Sequence, residues 1–545
     1  MSSSALLKLY SFHRDLYSHA LEAARHFNSL NTAEIASYSQ SFQDSLPSHC
    51  ERTQVDDIMT ASRAAQFLLF GDFHTLRQSQ RSFLRMLRQL HDSDPERPIC
   101  VAMEMFLAND QPLIDAFLDK RISEAEFLKK IDYYNKWGFP WENYRPIIEY
   151  CVQNRIPILG INSDFDSPNR LIRRDEFAAR ILNQWAHHHP QHLCLCLIGE
   201  YHLANNHLLA GLEARQKTIR IVVNVDEYAL RPSNHPFATT EYLRLDSNFY
   251  CILDTAPWIK WQSLAMWEEL HGNLEHTLNA DDFDPYTEHH YDFDYQLLHI
   301  IRSLNDLLQL GMSSSELSHF DLYVRPDRAT LQYIRNKLNL ERWELQASDR
   351  RILADGFYYF SPSKTIVLNE LSINRFAEIA GHYLYNALRH QTAIQPGNTI
   401  QSRMERQVCG TLAALLMNPR RPTLRSEDLQ DFYNSVKRRR LVGEARQRRD
   451  ASKAVLPLLS DATELQSSIR SLRGHAIEDK DRKLSCLISR QTGEALAGHL
   501  FPSLLQGSES DFLENLRKIF TADFQEQVQI LRRLQQMPHL PRSAS

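Results

Sequence analysis

At 545 residues, 43% hydrophobic and 24% charged, the chain has the composition of ordinary globular protein, with apolar material for more than one domain. Its 62 Lys and Arg against 67 Asp and Glu give a formal net charge of −5, which excludes a chain-wide electrostatic footprint for nucleic acid. Only 16 glycines are present, and neither G-x-G-x-x-G nor G-x-x-x-x-G-K-[ST] occurs, which excludes two families of phosphate-cradling loops.

Residues 1–54 read as a helical segment whose start is amphipathic, not an export signal. No run reaches the ~18 apolar residues of a membrane span, so a cytoplasmic protein without a membrane span is expected. Six short runs follow, apolar on both faces: 66–74, 98–106, 156–164, 193–202, 219–227 and 248–255. Such runs suit strands covered on both sides. Between the first five lie stretches of helical periodicity at 80–90, 144–154, 175–186 and 204–215. Strand–helix alternation predicts an α/β fold, a mostly parallel sheet flanked by helices, over residues 55–267. Residues 107–143 form an insertion ending in aromatics, able to roof a pocket or to pack as a loop. None of the eight cysteines falls in a C-x-x-C. Cys100, Cys194, Cys196 and Cys251 sit inside apolar runs and read as small core residues of a reducing compartment.

An acidic, histidine-rich tract at 268–299 marks a boundary. His289 and His290 could bind a metal there, but a solvated connection is the commoner use of such a stretch. Residues 300–545 read as a mainly helical domain with a small mixed patch: strands near 320–326 and 356–370, then helices at 373–390 and 511–537. The basic run 437–449 reads as a solvated helix face. Glu378 and His382 share a helix face and, with Glu370, could form a metal site; a surface acid–histidine pair is the favoured reading.

In an open parallel sheet, ligands bind at the carboxyl ends of the strands. Asp72 and His74, Glu104, Asn162 and Asp164, Glu200 with Tyr201 and His202, and Asn224 with Asp226 and Glu227 all collect there. The first and fourth runs end in the same phrase, Gly71-Asp72-Phe73-His74 and Gly199-Glu200-Tyr201-His202. Glycine would let the chain bend and a ligand approach. Two imidazoles flanked by carboxylates suit a transition metal, a haem iron or general-base work on water. The histidines at 187–189 and His192 precede the fourth strand, at the opposite end of the sheet, and read as surface. His207 points elsewhere.

Together the paired G-[DE]-x-H motifs, the Glu104–Phe106 strand end, NKWGFPWENY at 135–144, RRDEFAARI at 173–181 and TAPWIKWQS at 255–263 resemble the ChaN-like haem-binding proteins of the Tiki, TraB and EreA-type superfamily, over residues 55–265. The first motif carries Asp72 where that family usually has Glu. The resemblance implies haem or iron binding, with pairing of two protomers around the cofactor. It implies His74 and His202 as site histidines, Glu104 and Glu200 as carboxylates, Tyr201 and Tyr144 as candidate ligands, and Arg174 as a polar partner. For a bare divalent transition metal, His74, His202, Glu104 and Asp72 are the candidate ligands. The same superfamily implies an alternative, metal-dependent ester or peptide hydrolysis with Glu104 or Glu200 as base. A further alternative is a vestigial site beside a protein-binding C-terminal domain.

Overall fold

The computed structural model describes residues 4–25, 33–164, 170–231, 240–277, 293–340, 348–349, 352, 356–360, 363–369, 372–391, 400–460 and 479–536. Packing divides the chain into two compact units: Leu16–Arg231 with Thr239–Thr287, and Met1–Asp15 and Pro232–Ala238 with Glu288–Ser545.

The first unit is built on an eight-stranded sheet: β1 Glu51–Thr53, β2 Phe67–Asp72, β3 Ile99–Leu107, β4 Ile158–Asn162, β5 Leu193–Gly199, β6 Thr218–Val223, β7 Glu241–Asp246 and β8 Phe249–Leu253. Their order is β1-β7-β8-β6-β2-β5-β3-β4. The six strands that begin as two-faced apolar runs are mutually parallel, while β7 pairs antiparallel with β8 and with β1. β7 alternates buried and exposed residues along its length, the signature of a strand near an edge, so a search for continuous apolar runs passes over it.

Both faces of the sheet are covered. Leu68, Phe70, Val101 and Leu195 pack with Phe83 and Leu87 of helix Arg77–Ser93 and Ile147 of helix Trp141–Asn154. Phe67, Leu69, Cys194 and Cys196 pack on the other side with Ala178 and Leu182 of helix Arg170–His188. Cys100, Cys194, Cys196 and Cys251 are buried and free. The stretch 204–215 departs from the expected helix. Only Leu208–Gly211 is α-helical, and His207 Nδ1 bonds back to the Tyr201 carbonyl at 2.7 Å, holding the preceding chain in a turn.

The second unit carries a three-stranded sheet, β9 Asp321–Val324, β10 Phe357–Phe360 and β11 Thr365–Leu368, in the order β10-β11-β9. Helices Ile373–Gln391, Ile400–Met417 and Asp479–Leu504 pack beside one another. Gly381 lets the first two approach closely: a Cβ there would stand 2.6 Å from the Cys409 carbonyl oxygen and 2.7 Å from Gly410 Cα. The tail divides into two helices, Glu509–Thr521 and Phe524–Gln536, because Ala522 is extended between them. Among the described residues no helix is long and apolar enough to cross a membrane. The tract 278–292, with His289 and His290, lies outside the described residues, as does Glu370.

Candidate functional site

Three adjacent strands, β2, β5 and β3, assemble the site. Register places Asp72 opposite Gly199 and Met103 opposite Leu197. The turns after β2 and β5 therefore leave the sheet side by side, with Glu104 inside β3, one residue beyond its last pairing with β5. His74 and His202, 128 positions apart, are brought to either side of one carboxylate.

His74 Nδ1 donates to Asp72 Oδ2 at 2.9 Å, and its Nε2 lies 3.9 Å from Glu104 Oε2. His202 Nδ1 lies 2.6 Å from Asp175 Oδ1, and its Nε2 is 3.2 Å from Glu104 Oε1. The Gly199 N–H donates to Glu104 Oε2 at 2.7 Å. The result is a chain of groups: Asp72, His74, Glu104, His202, Asp175. A carboxylate on the far nitrogen fixes the orientation of each ring and strengthens the other nitrogen as a ligand or base. Gly199 serves close approach. A Cβ there would meet His202 Cδ2 and His74 Nε2, each at 3.3 Å. The expected bend is not what the glycine supplies, since its φ of −49° and ψ of 137° are open to other residues.

Each dyad has an outer hydrogen-bonding partner. Tyr144 Oη donates to Asp72 Oδ2 at 2.8 Å, and Gln80 Nε2 donates to Asp72 Oδ1 at 2.5 Å. Tyr38 Oη donates to Asp175 Oδ2 and lies 2.7 Å from His202 Nδ1, while its ring stacks on His207 at 3.7 Å. Asp72, Asp175, Glu104 and His202 are all buried. The His74 side chain is 23% exposed and that of His202 7%, so His74 is the less buried imidazole of the pair. Trp137 and Phe139 flank its ring at 4.7 and 4.8 Å between centroids. The aromatic insertion thus roofs the recess. Asp72, His74, Met103, Glu104, Met105, Trp137, Tyr144 and Leu197 line a tight recess that leaves no room for a water-sized sphere.

Burial disfavours charge on all three central groups, but the neighbouring opposite charges outweigh it. Asp175 and Glu104 hold the His202 pKa up at about 10. Asp72, then Glu104, raise that of His74. His202 and His74 hold Glu104 down at about 2. His202 is therefore an imidazolium at neutral pH, donating from both nitrogens, and Glu104 a carboxylate.

The other sequence-derived candidates fall elsewhere. Glu200 turns away from the histidines into a buried ion pair with Lys260, Oε1 to Nζ 2.7 Å, beside Phe73 and Trp261. The short 3₁₀ turn Glu200–Leu203 sends Glu200 and His202 to different sides. Tyr201 packs on Phe42. Arg174 touches none of the central groups; its sequence neighbour Asp175 does. Asp175, Tyr38 and Gln80 were not singled out from sequence, yet a signal existed. Asp175 opens the buried stripe Asp175, Ala178, Ala179, Leu182, and Gln80 opens Gln80, Phe83, Leu84, Leu87. A polar side chain at the head of an apolar helical stripe is buried and needs a partner.

Among the described residues no group of three or more His, Cys, Asp or Glu is disposed to hold a metal ion. The favoured surface reading of Glu378 and His382 is overturned: both are buried, and Glu378 is held by Arg375 at 3.2 Å, Arg421 at 3.5 Å and Gln407 at 2.6 Å. Helix Ile373–Gln391 turns that face toward helix Ile400–Met417 instead of solvent.

Residues 58–174 match the family model described as "Haem-binding uptake, Tiki superfamily, ChaN", so this segment is ChaN-like. It contains Asp72, His74, Glu104 and Tyr144 and ends one residue before Asp175. A solved structure of Campylobacter jejuni ChaN, described as cofacial heme binding, is similar at 15% identity. The similarity covers 37% of this chain and 92% of that one, with a TM-score of 0.28. No curated protein matches.

Proposed function

We propose that the ChaN-like segment, together with β5, binds haem, with His74 facing the iron and His202 acting as a fixed positive charge that holds Glu104. The match of residues 58–174 to a haem-binding uptake family is the premise. The observation that carries the reading is the pair of carboxylate-backed imidazoles converging on Glu104 at the sheet's carboxyl edge. The donor set fits: His74 is the less buried imidazole, oriented by Asp72 and flanked by Trp137 and Phe139. Haem iron is bound by imidazole nitrogen, and His74 is the residue that would hold it here. Here Asp72 would orient that ring, and Tyr144 and Gln80 would hold Asp72.

A recess too tight for a water-sized sphere cannot enclose a macrocycle. One chain alone would therefore not enclose haem, and a second copy of the chain completing the site is part of the proposal. Haem titration followed by absorption, with size-exclusion chromatography of the loaded protein, tests both parts. Wild type should develop a Soret band and shift toward a dimer. His74→Ala should lose the band, and His202→Ala should weaken binding. A wild-type protein without a Soret shift refutes the reading.

A second reading, implied by the superfamily resemblance, is a bare divalent ion supporting ester or peptide hydrolysis. Glu104, held near 2, is a weak base, and Glu200 is tied to Lys260, so proton abstraction would fall to His74. Retained zinc or manganese, with esterase activity lost in His74→Ala, would favour it.

A further inference from the structure

The second unit carries a charged surface unrelated to the histidine site. Helices Ser426–Val436 and Gly443–Ser460 pack against each other, and the connection between them holds Lys437, Arg438, Arg439, Arg440, Leu441 and Val442. The run 437–449 contains seven Lys or Arg and one acid, Glu444, in a chain of net charge −5. Arg446 and Arg449 are partly neutralised by Asp450, at 3.6 and 2.7 Å. Arg438, Arg439, Arg440 and Arg448 are exposed and make no ion pair among the described residues. Val442, at the apex, is 81% exposed, more than any other large hydrophobic residue on the described surface. The chain then turns at Gly443, φ +59°, and starts an 18-residue helix whose amino end adds its partial positive charge to the same tip.

Bare arginines and an unburied apolar side chain are each ordinary alone. Their coincidence on one tip is the arrangement by which a protein rests on an anionic bilayer, with cations on the lipid phosphates and a short apolar residue at the acyl boundary. Single-stranded nucleic acid would call for aromatic stacking platforms, and 437–449 contains no aromatic residue. We propose that the tip 437–449 is a docking surface for membranes rich in anionic phospholipid. The other side of this helix pair is already in use: Ala451 and Val455 are buried, and the helix packs against Asp479–Leu504.

The test is co-sedimentation of the full chain with vesicles of phosphatidylcholine alone or with about 30 mol% phosphatidylglycerol, at rising salt. Wild type should sediment only with the anionic vesicles and be released by salt. R438E/R439E/R440E should bind at least about 100-fold more weakly. Val442→Ser should bind several-fold more weakly at unchanged charge. Circular dichroism checks that the variants, altered only at exposed positions, keep their helices. Absence of wild-type sedimentation, or full binding by the triple variant, overturns the proposal. So does a Val442→Ser variant that binds like wild type while duplex DNA competes fully, which would mark a general polyanion surface.

Discussion

Tyr38 is the side chain whose removal most cleanly separates packing from polarity in the site. Tyr38→Phe keeps the ring on His207 and deletes only the hydroxyl shared by Asp175 and His202. A hydrogen bond to a charged group contributes about 1.5–3 kcal/mol, so urea unfolding should show a loss of that order. Asp175→Asn removes the largest influence favouring charge on His202, and the imidazole pKa, followed by NMR, should fall from its raised value. An unchanged titration would mean that Glu104 alone holds the charge. His74, His202 and Glu104 were legible as candidates because each follows an apolar run. Asp175 and Tyr38 sit inside helices, where an isolated polar residue is visible only once the apolar stripe has been drawn through it. Glu200 shows the limit of motif reasoning: two matching phrases place both histidines alike but not the acids beside them, since Lys260 attracts only the second.

Element types were mostly readable and pairings were not. The parallel strands announce themselves by apolar runs, whereas the order β2-β5-β3 depends on contacts made by no sequence neighbours. In the helical unit, the Gly381–Gly410 contact is an approach of two backbones that leaves no periodic trace. Gly381→Ala would put a methyl 2.6 Å from the Cys409 carbonyl oxygen, and helix Ile373–Gln391 would have to move. Overpacking of this kind costs about 1–3 kcal/mol, to be read from the thermal or urea transition of the full chain. A gain in stability, as expected for alanine at an uncrowded helix position, would show that the two helices do not meet there. Burial of Glu378 was equally hidden, because Arg421 and Gln407, which with Arg375 of the same helix make it tolerable, are remote in sequence.

For the molecule as a whole, the central ion pairs define a pH window. His202, ordinarily at 6.5, is raised to about 10, so its contribution is complete below pH 6.5 and fades as pH climbs toward 10. Glu104, ordinarily at 4.5, is lowered to about 2, so its contribution is complete above pH 4.5 and fades as pH falls toward 2. Both are fully present only between these limits, and urea midpoints for the unit with the eight-stranded sheet should peak there. Glu104→Gln should flatten the acid limb; an unaltered acid limb would assign it to other carboxylates. The strand order has one more consequence, for biosynthesis. β2 and β3 leave the ribosome early, yet neither borders the other, and the place between them belongs to Leu193–Gly199. Until that later segment emerges and inserts, the newborn chain holds a Glu104 without its Gly199 amide or the His202 imidazole beside it. The two halves of the cleft can close only by a long-range event, the slow kind in folding.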